Sequence, residues 1–276
     1  MHDIAVVTAG ARGIGRQIAV DLRAAGYTVV LGDSVAAKAQ ATAAEIGDDV
    51  VGIALDVTNR PSITEAIAYV EGTIGSITLW VNNADVTPAG RFIEHGPVRA
   101  QDAINVNFAG TVESTAAILP EFVARRSGTI INLSSTAAAA PPAGFAVYSG
   151  TKAAVLVFSD SLRREMVGSG VTIRVVVPQL VSWPIRAGMS ESKWFFAAAP
   201  AAVSAAVLRA VTSRRFALTV PRRRNFVFHL FVALPIALRS RIAASASVSS
   251  LRQGEAPVER TNRQHVLPTP RQEDRI

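Results

Sequence analysis

Short apolar segments alternate with longer segments of helical periodicity along the first 220 residues. The apolar runs predict strands at 4–7, 28–31, 50–55, 79–82, 130–133, 171–177 and 216–220. The periodic segments predict helices at 16–25, 35–46, 59–73, 105–126, 148–164 and 200–214. Because the strands are apolar on both faces, each is expected to lie in a parallel sheet between two helical layers. The pattern therefore predicts an α/β fold.

A glycine-containing turn joins the first strand to the first helix. It runs Thr8-Ala9-Gly10-Ala11-Arg12-Gly13-Ile14-Gly15. Glycines at these spacings let the backbone turn tightly and approach a pyrophosphate, whose charge the N-terminus of the following helix receives. The strand–turn–helix order predicts a nucleotide-binding site.

A second motif begins after the strand at 130–133. Ser135 follows that strand, and Tyr148 and Lys152 are four residues apart on the predicted helix. A lysine on the same helix face as a tyrosine favours the phenolate, which brings a weak acid closer to a useful pKa. A hydroxyl at the C-terminal end of a parallel strand is placed to polarise a substrate oxygen. These residues predict acid/base chemistry.

Together with Asn82-Asn83-Ala84 and Asn107, the two motifs resemble the classical short-chain dehydrogenase/reductase family over residues 3–220. The resemblance implies a Rossmann-type doubly wound parallel sheet of about seven strands with helices on both faces. It implies a catalytic domain at 1–220 with a substrate lid at about 183–199. It also implies interconversion of a secondary alcohol and a ketone with NAD or NADP.

The resemblance assigns four catalytic residues. Tyr148 is implied to be the general acid/base, and Lys152 to lower its pKa and hold the cofactor ribose. Ser135 is implied to orient the carbonyl oxygen, and Asn107 to support a proton relay through water.

The same resemblance implies a set of cofactor-binding residues. They are Thr8, Gly10, Arg12, Gly13, Ile14, Gly15, Asp33, Asp56, Val57, Asn83, Ala84, Tyr148, Lys152, Pro178 and Val181. Asp33 follows the second strand, where a carboxylate accepts hydrogen bonds from the adenosine ribose and repels a 2′-phosphate. It therefore favours NAD, whereas Arg12 in the turn is the residue that would face the phosphate of NADP. Asp56 is either an adenine partner or a cap for the next helix.

The chain departs from the family pattern near the expected nicotinamide. Asp85 stands where the family has the glycine of Asn-Asn-Ala-Gly, and Ala138 replaces another glycine. Gln179 and Trp183 replace the glycine and threonine that usually follow the strand at 171–177. The Asp85 carboxylate is expected either to disturb the cofactor site or to point to solvent.

Composition supports one large core and excludes several kinds of site. The chain is 49% hydrophobic and 18% charged, and it has no cysteine. Disulfides and thiolate metal sites are thus excluded, and the four scattered histidines do not predict a metal site. No N-terminal signal sequence is recognised, so a cytoplasmic location is expected.

The basic character belongs to the C-terminal part. Residues 1–208 hold 15 Lys and Arg against 17 Asp and Glu, whereas residues 209–276 hold 13 Arg against 4 acids. Segment 221–242 combines arginines with an apolar run too short to span a bilayer, and 243–276 is expected to be disordered. The segment at 221–242 is expected either to pack on the domain or a second subunit, or to contact a membrane surface. Nucleic-acid binding is not expected.

Two further expectations complete the sequence analysis. Aromatic residues in the lid region, Trp194, Phe195 and Phe196, favour an apolar substrate of the lipid or steroid kind. Family analogy implies a homodimer or homotetramer. The alternative functions are a nucleotide-binding sensor or scaffold with weak turnover, suggested by Asp85, Gln179 and Trp183, and a membrane-surface protein whose fold positions the tail.

Overall fold

The computed structural model describes residues 3–179 and 198–221, with the isolated positions 234 and 238. Its centre is a parallel sheet of seven strands in the order β3-β2-β1-β4-β5-β6-β7. The strands are β1 Ile4–Thr8, β2 Thr28–Asp33, β3 Val50–Ala54, β4 Ile77–Asn82, β5 Gly128–Leu133, β6 Val171–Pro178 and β7 Ala217–Val220. The order reverses between β1 and β4, which places a crevice at their carboxyl ends. The predicted doubly wound sheet is confirmed.

Helices cover both faces of the sheet. They are α1 Gly13–Ala24, α2 Ala36–Ile46, α3 Arg60–Thr73, α4 Phe92–Ile104, α5 Gly110–Ala124, α6 Ala146–Glu165 and α7 Pro200–Thr212. The residues of α1, α2 and α7 pack in one apolar cluster, and those of α3, α5 and α6 pack in another.

Alternation along the strands connects the two clusters. In β1, Ala5 and Val7 belong to the cluster with α1 and α7, while Ile4 and Val6 belong to the cluster with α3 and α5. Successive side chains of a strand point to opposite faces, so a strand that is apolar at every position serves both cores. This is why the continuous apolar runs were correct indicators of central strands.

The largest departure from the predicted elements lies between β4 and α5. The sequence predicted one helix from 105 to 126, but α4 precedes it, and residues Asn105–Ala109 form a π-helical segment. Helix α4 is kinked at Gly96, where φ is 67°, and Pro97 follows. Gly and Pro in its middle weakened the helical signal in the sequence.

A buried chain of hydrogen bonds joins β4, β5 and α6. Trp80 Nε1 donates to Asn82 Oδ1 at 2.8 Å, and Asn82 Nδ2 donates to Asn132 Oδ1 at 2.8 Å. Asn132 Nδ2 in turn donates to Ser159 Oγ at 2.8 Å. All four side chains are buried, so each polar group depends on its protein partner.

We expect Asn132→Ala to lower the free energy of unfolding by about 2 kcal/mol, because it leaves buried partners unsatisfied. Urea denaturation followed by circular dichroism measures the change. The control is Asn105→Ala, whose exposed side chain bonds only to Gln101 among the described residues, and we expect a change below about 0.5 kcal/mol. Equal stability of the two variants would contradict a structural role for this buried network of hydrogen bonds.

No helix in the described part of the chain has the length and apolar character needed to cross a membrane.

Candidate active site

A cavity of about 290 Å³ opens at the carboxyl ends of the central strands. Its wall is formed by the glycine turn, the segment after β4, the end of β5, the first turns of α6 and the end of β6. The lining residues are Ala9, Arg12, Gly13, Ile14, Gly15, Asn83, Asp85, Val86, Thr87, Ala89, Leu133, Ser134, Ser135, Phe145, Tyr148, Lys152, Pro178 and Gln179. The volume is at the lower end of the range for small-molecule sites. The cavity thus joins the two motifs that the sequence singled out.

The glycine turn is compact. A Cβ built on Gly15 would lie 2.4 Å from the Ala9 carbonyl oxygen, and one on Gly10 would lie 2.6 Å from Leu31 Cδ2. Gly13 has φ of 58°, which favours glycine. Helix α1 begins directly after Arg12, which makes no side-chain cap, and its first turn contains no acidic residue. Its N-terminus is therefore suited to an anionic group.

Thr8 and Asn83 hold the turn against the end of β4. Thr8 Oγ1 accepts hydrogen bonds from the backbone N–H groups of Asn83 at 2.9 Å and Ala84 at 3.0 Å. Asn83 Nδ2 donates to the carbonyl oxygens of Thr8 at 2.9 Å and Ala9 at 3.2 Å. Their described contacts are architectural, and of these residues Asn83 and Ala9 line the cavity.

Asp33, Asp56 and Val57 lie at the same edge of the sheet but do not line the cavity. Asp33 ends β2, and its Oδ1 accepts from the Val35 N–H at 3.1 Å. Asp56 Oδ1 accepts from the N–H and hydroxyl of Thr58 within the loop, and the N-cap of α3 is Asn59, so Asp56 does not cap that helix. Val57 is buried and packs close to Gly110.

Ser135 and Tyr148 meet in the cavity wall. Ser135 is buried after β5, and its Oγ accepts from the Ala137 N–H at 3.2 Å. Tyr148 lies on the first turn of α6 and packs edge-on against Phe145, with ring centroids 6.3 Å apart. Ser134 Oγ donates to the Lys152 carbonyl at 2.8 Å and so ties α6 to β5.

The ammonium of Lys152 has two close partners. Its Nζ lies 2.9 Å from Asp85 Oδ1 and donates to the Leu133 carbonyl at 3.0 Å, and it is 5.7 Å from the centre of the Tyr148 ring. The Lys152 side chain is 4% exposed and that of Asp85 is 30% exposed. Desolvation raises the pKa of the Asp85 carboxyl, and the Lys152 ammonium opposes the rise.

The pKa of Tyr148 differs from the sequence prediction. Burial raises the pKa of the phenol well above its usual value, the Asp85 carboxylate raises it further, and the Ser135 side chain lowers it in part. The sequence predicted that Lys152 lowers this pKa. In the structure the ammonium is paired with Asp85, and the negative charge of that carboxylate offsets the effect of the ammonium on the phenol.

Asn107 lies in the π-helical segment and is fully buried. Its Oδ1 accepts from the Val86 N–H at 2.8 Å, and its Nδ2 donates to the Val86 carbonyl at 2.8 Å and to Thr151 Oγ1 at 3.2 Å. A π-helical bulge at this place turns the amide toward the segment after β4. Asn107 therefore fixes the residue that follows Asp85.

The sequence motifs did not include some residues of the cavity wall, and some residues predicted from the sequence lie outside the described part of the chain. Val86, Thr87, Ala89 and Phe145 line the cavity without belonging to a motif. The apolar residues at 86 and 89, just after the Asn-Asn-Ala motif, were the available signal. Val181 and Trp183 lie outside the described residues, as do the lid aromatics, while Ala138 sits in a short 3₁₀ turn after Ser135.

Comparison with known proteins identifies relatives of the whole cavity-bearing region. A family model described as short chain dehydrogenase matches residues 3–194. Ketoacyl reductase HetN of Nostoc sp. is 31% identical over 215 residues, covering 76% of this chain and 75% of that protein. The 2,5-dichloro-2,5-cyclohexadiene-1,4-diol dehydrogenase LinX of Sphingobium indicum is 35% identical over 189 residues, covering 67% and 76%. The 3-oxoacyl-(acyl-carrier-protein) reductase FabG of Haemophilus influenzae is 33% identical over 180 residues, covering 65% and 74%.

Solved structures share the fold. A short-chain dehydrogenase from Streptomyces avermitilis superposes with a TM-score of 0.75 at 25% identity, covering 90% of this chain and 97% of that one. A short chain dehydrogenase/reductase from Burkholderia phymatum, determined in complex with NAD, gives a TM-score of 0.73 at 20% identity, covering 83% and 92%.

Proposed function

The chain belongs to the short-chain dehydrogenase/reductase family. From that premise we propose that it interconverts the secondary alcohol and the ketone forms of an apolar substrate and prefers NAD as its cofactor. It is an oxidoreductase that acts on CH–OH groups with a nicotinamide cofactor. The observation that supports the proposal is the convergence of Ser135, Tyr148 and Lys152 on one cavity that the glycine turn also lines.

The residues present fit a dinucleotide. The uncapped N-terminus of α1 and the closely packed glycines suit a pyrophosphate, and Asp33 lies at the carboxyl end of the neighbouring strand. When bound, the nicotinamide cofactor supplies or accepts the hydride. The other cofactor-binding residues named from the sequence are assigned by family likeness, with Thr8 and Asn83 shaping the turn.

The proton chemistry belongs to the chain's own side chains. In reduction, the Tyr148 hydroxyl donates its proton to the substrate oxygen, and in oxidation the phenolate removes the hydroxyl proton. Ser135 donates a hydrogen bond to the same oxygen. Lys152 holds the cofactor ribose, and Asn107 fixes the segment after β4 and supports proton exchange with solvent.

The proposed substrate is apolar and lipid- or steroid-like. Val86, Ala89 and Phe145 add apolar surface to the cavity beside Tyr148. A screen of secondary alcohols and ketones of increasing apolar size, followed at the absorbance of the reduced nicotinamide, tests the proposal. Catalytic efficiency that rises with apolar size supports it, and turnover confined to small polar substrates contradicts it.

A sensor or scaffold with weak turnover is the second candidate, because the Asp85–Lys152 pair occupies the ammonium that the family mechanism uses. Tight cofactor binding without turnover in the same screen would favour it. We further propose a cytoplasmic homodimer or homotetramer, with peripheral membrane contact through 221–242. These proposals rest on sequence and family likeness, since segment 221–242 lies almost wholly outside the described residues.

We expect NADH to bind more tightly than NADPH, and Asp33→Asn to reduce that preference about tenfold or more, because a 2′-phosphate no longer meets a carboxylate. The amide retains an acceptor for the Val35 N–H. Calorimetric titration with each cofactor measures the ratio. Asp48→Asn, an exposed carboxylate on the loop before β3, is the control and should leave the ratio unchanged.

The opposite assignment has its own signature. If NADPH binds more tightly and Arg12→Ala removes that advantage, Arg12 and not Asp33 selects the cofactor.

A further inference from the structure

The carboxylate of Asp85 lies in the wall of the cavity that Tyr148 and Lys152 also line. Its Oδ1 is 2.9 Å from Lys152 Nζ, and both residues line the cavity with Tyr148. The buried ammonium also donates to the Leu133 carbonyl at 3.0 Å. Lys152 is therefore held between a charged partner and a backbone partner.

The segment that carries Asp85 is anchored on both sides. The preceding residue, Ala84, donates its N–H to Thr8 Oγ1 at 3.0 Å. The following residue, Val86, exchanges two hydrogen bonds with the Asn107 amide, both 2.8 Å long. The second carboxylate oxygen of Asp85 accepts from the Thr87 hydroxyl at 3.3 Å. The position of the carboxylate is thus set by the fold and does not depend on a mobile surface side chain.

The charges that face Tyr148 are few among the described residues. Arg12 lines the cavity from the glycine turn, Asp85 from the segment after β4, and Lys152 from α6. The ends of β5 and β6 contribute Ser135 and Gln179, which do not titrate. The Lys152–Asp85 pair is neutral as a unit and leaves Arg12 as the remaining charge, whereas a glycine at 85 would leave the charges of both Lys152 and Arg12 uncompensated.

We propose that Asp85 is a positioning residue that adapts the site to proton donation: by pairing with Lys152 it leaves Tyr148 a neutral phenol, ready to protonate a carbonyl oxygen. This inference rests on the proposed function. In the reductive direction the O–H bond of Tyr148 breaks, an O–H bond forms on the substrate, and the phenolate recovers a proton from solvent. The hydride and its electron pair come from the reduced nicotinamide of that function.

The inference predicts that reduction and oxidation by this protein depend differently on pH. Reduction needs the protonated phenol and proceeds at neutral pH. Oxidation needs the phenolate and is confined to alkaline pH. The pKa of Tyr148 is raised first by burial and then by the Asp85 carboxylate, and the second contribution agrees with this geometry.

Titration of Tyr148 in the cofactor-free, full-length chain tests the inference. Biosynthetic 3,5-difluorotyrosine is a stronger acid than tyrosine and brings the titration into an accessible pH range, and its fluorine resonance reports each residue. The chain has 3 tyrosines, and Tyr148→Phe identifies the resonance of interest. We expect Asp85→Asn to lower the apparent pKa of Tyr148 by about one unit or more, because a nearby negative charge is removed.

The matched control removes a carboxylate that lies on α6, the helix of Tyr148, but does not line the cavity. Asp160 on α6 pairs with Arg163 and Arg164, so Asp160→Asn should leave the Tyr148 titration unchanged. Superposable Tyr148 titrations in the wild type and Asp85→Asn would overturn the inference.

A second measurement uses turnover. We expect Asp85→Asn to move the alkaline rise of the oxidation rate to lower pH by about one unit, with an oxidation rate at neutral pH about tenfold higher. Reduction should change less. Unchanged pH profiles would count against the inference, whereas absence of turnover in every variant would contradict the proposed function and leave the fluorine titration to decide the role of Asp85.

Discussion

Tyr148→Phe is expected to lower the turnover number by about 10²- to 10⁴-fold, the usual contribution of a positioned proton donor. The phenol is buried beside Ser135 in the cavity wall, and among the described residues no other ionisable hydroxyl lines that wall. Phenylalanine preserves the packing against Phe145 and removes only the hydroxyl. Steady-state rates in both directions, measured with saturating cofactor, provide the test.

The control for this variant is Tyr69→Phe. Tyr69 lies on α3 and is 48% exposed, so the loss of its hydroxyl should leave turnover unchanged. Calorimetric titration with NADH should show that Tyr148→Phe still binds the cofactor, with a loss of affinity much smaller than the loss of turnover. Full activity in Tyr148→Phe would remove this residue from the proposed mechanism, whereas lost cofactor binding would indicate a structural defect instead.

Gly15→Ala is expected to weaken NADH binding by more than about tenfold and to destabilise the fold by about 1–3 kcal/mol. The new methyl carbon would lie 2.4 Å from the Ala9 carbonyl oxygen and 2.7 Å from Asn83 Nδ2. Because the first of these contacts is backbone, the turn itself must shift. The same amide nitrogen of Asn83 holds Thr8 and Ala9, so the displacement spreads to the end of β4.

Gly72→Ala is the matched control. Gly72 lies in the last turn of α3, and a Cβ added there meets no atom within 4 Å. Alanine has the higher helix propensity, so this variant should be at least as stable as the wild type and should bind NADH normally. Thermal unfolding with and without NADH compares the two variants. Wild-type affinity in Gly15→Ala would show that the tight turn is not required for the cofactor.

Local sequence patterns predicted the positions of several residues of the site. Tyr148 and Lys152 were placed together because residues four apart share a helix face, and α6 does begin at Ala146 and include both. Ser135 was placed near them because the carboxyl ends of parallel strands meet at one edge of the sheet. Such inferences succeed because they depend on period and strand direction alone.

Other parts depended on contacts between residues far apart in the sequence. The pairing of Asp85 with Lys152 joins a segment after β4 to a helix after β5, and no local pattern distinguishes it from a carboxylate that points to solvent. The sequence led us to expect that Lys152 lowers the pKa of Tyr148, whereas burial, and after it the Asp85 carboxylate, raises that pKa. The hydrogen bonds of Asn107 to Val86 have the same origin, because a π-helical turn rotates the amide in a way that helical periodicity does not indicate.

The alternation of strands and helices, the glycine turn and the placement of Tyr148 and Lys152 on one helix face are predictable from the sequence alone, because they follow from the period of the backbone and from short-range sterics. Which charged groups become neighbours depends on the tertiary structure. Asp85, Lys152 and Tyr148 acquire their electrostatic relation through distances and burial that arise when β4, β5 and α6 pack together. Charge interactions at such distances depend on desolvation by the whole fold, so local sequence patterns do not determine them.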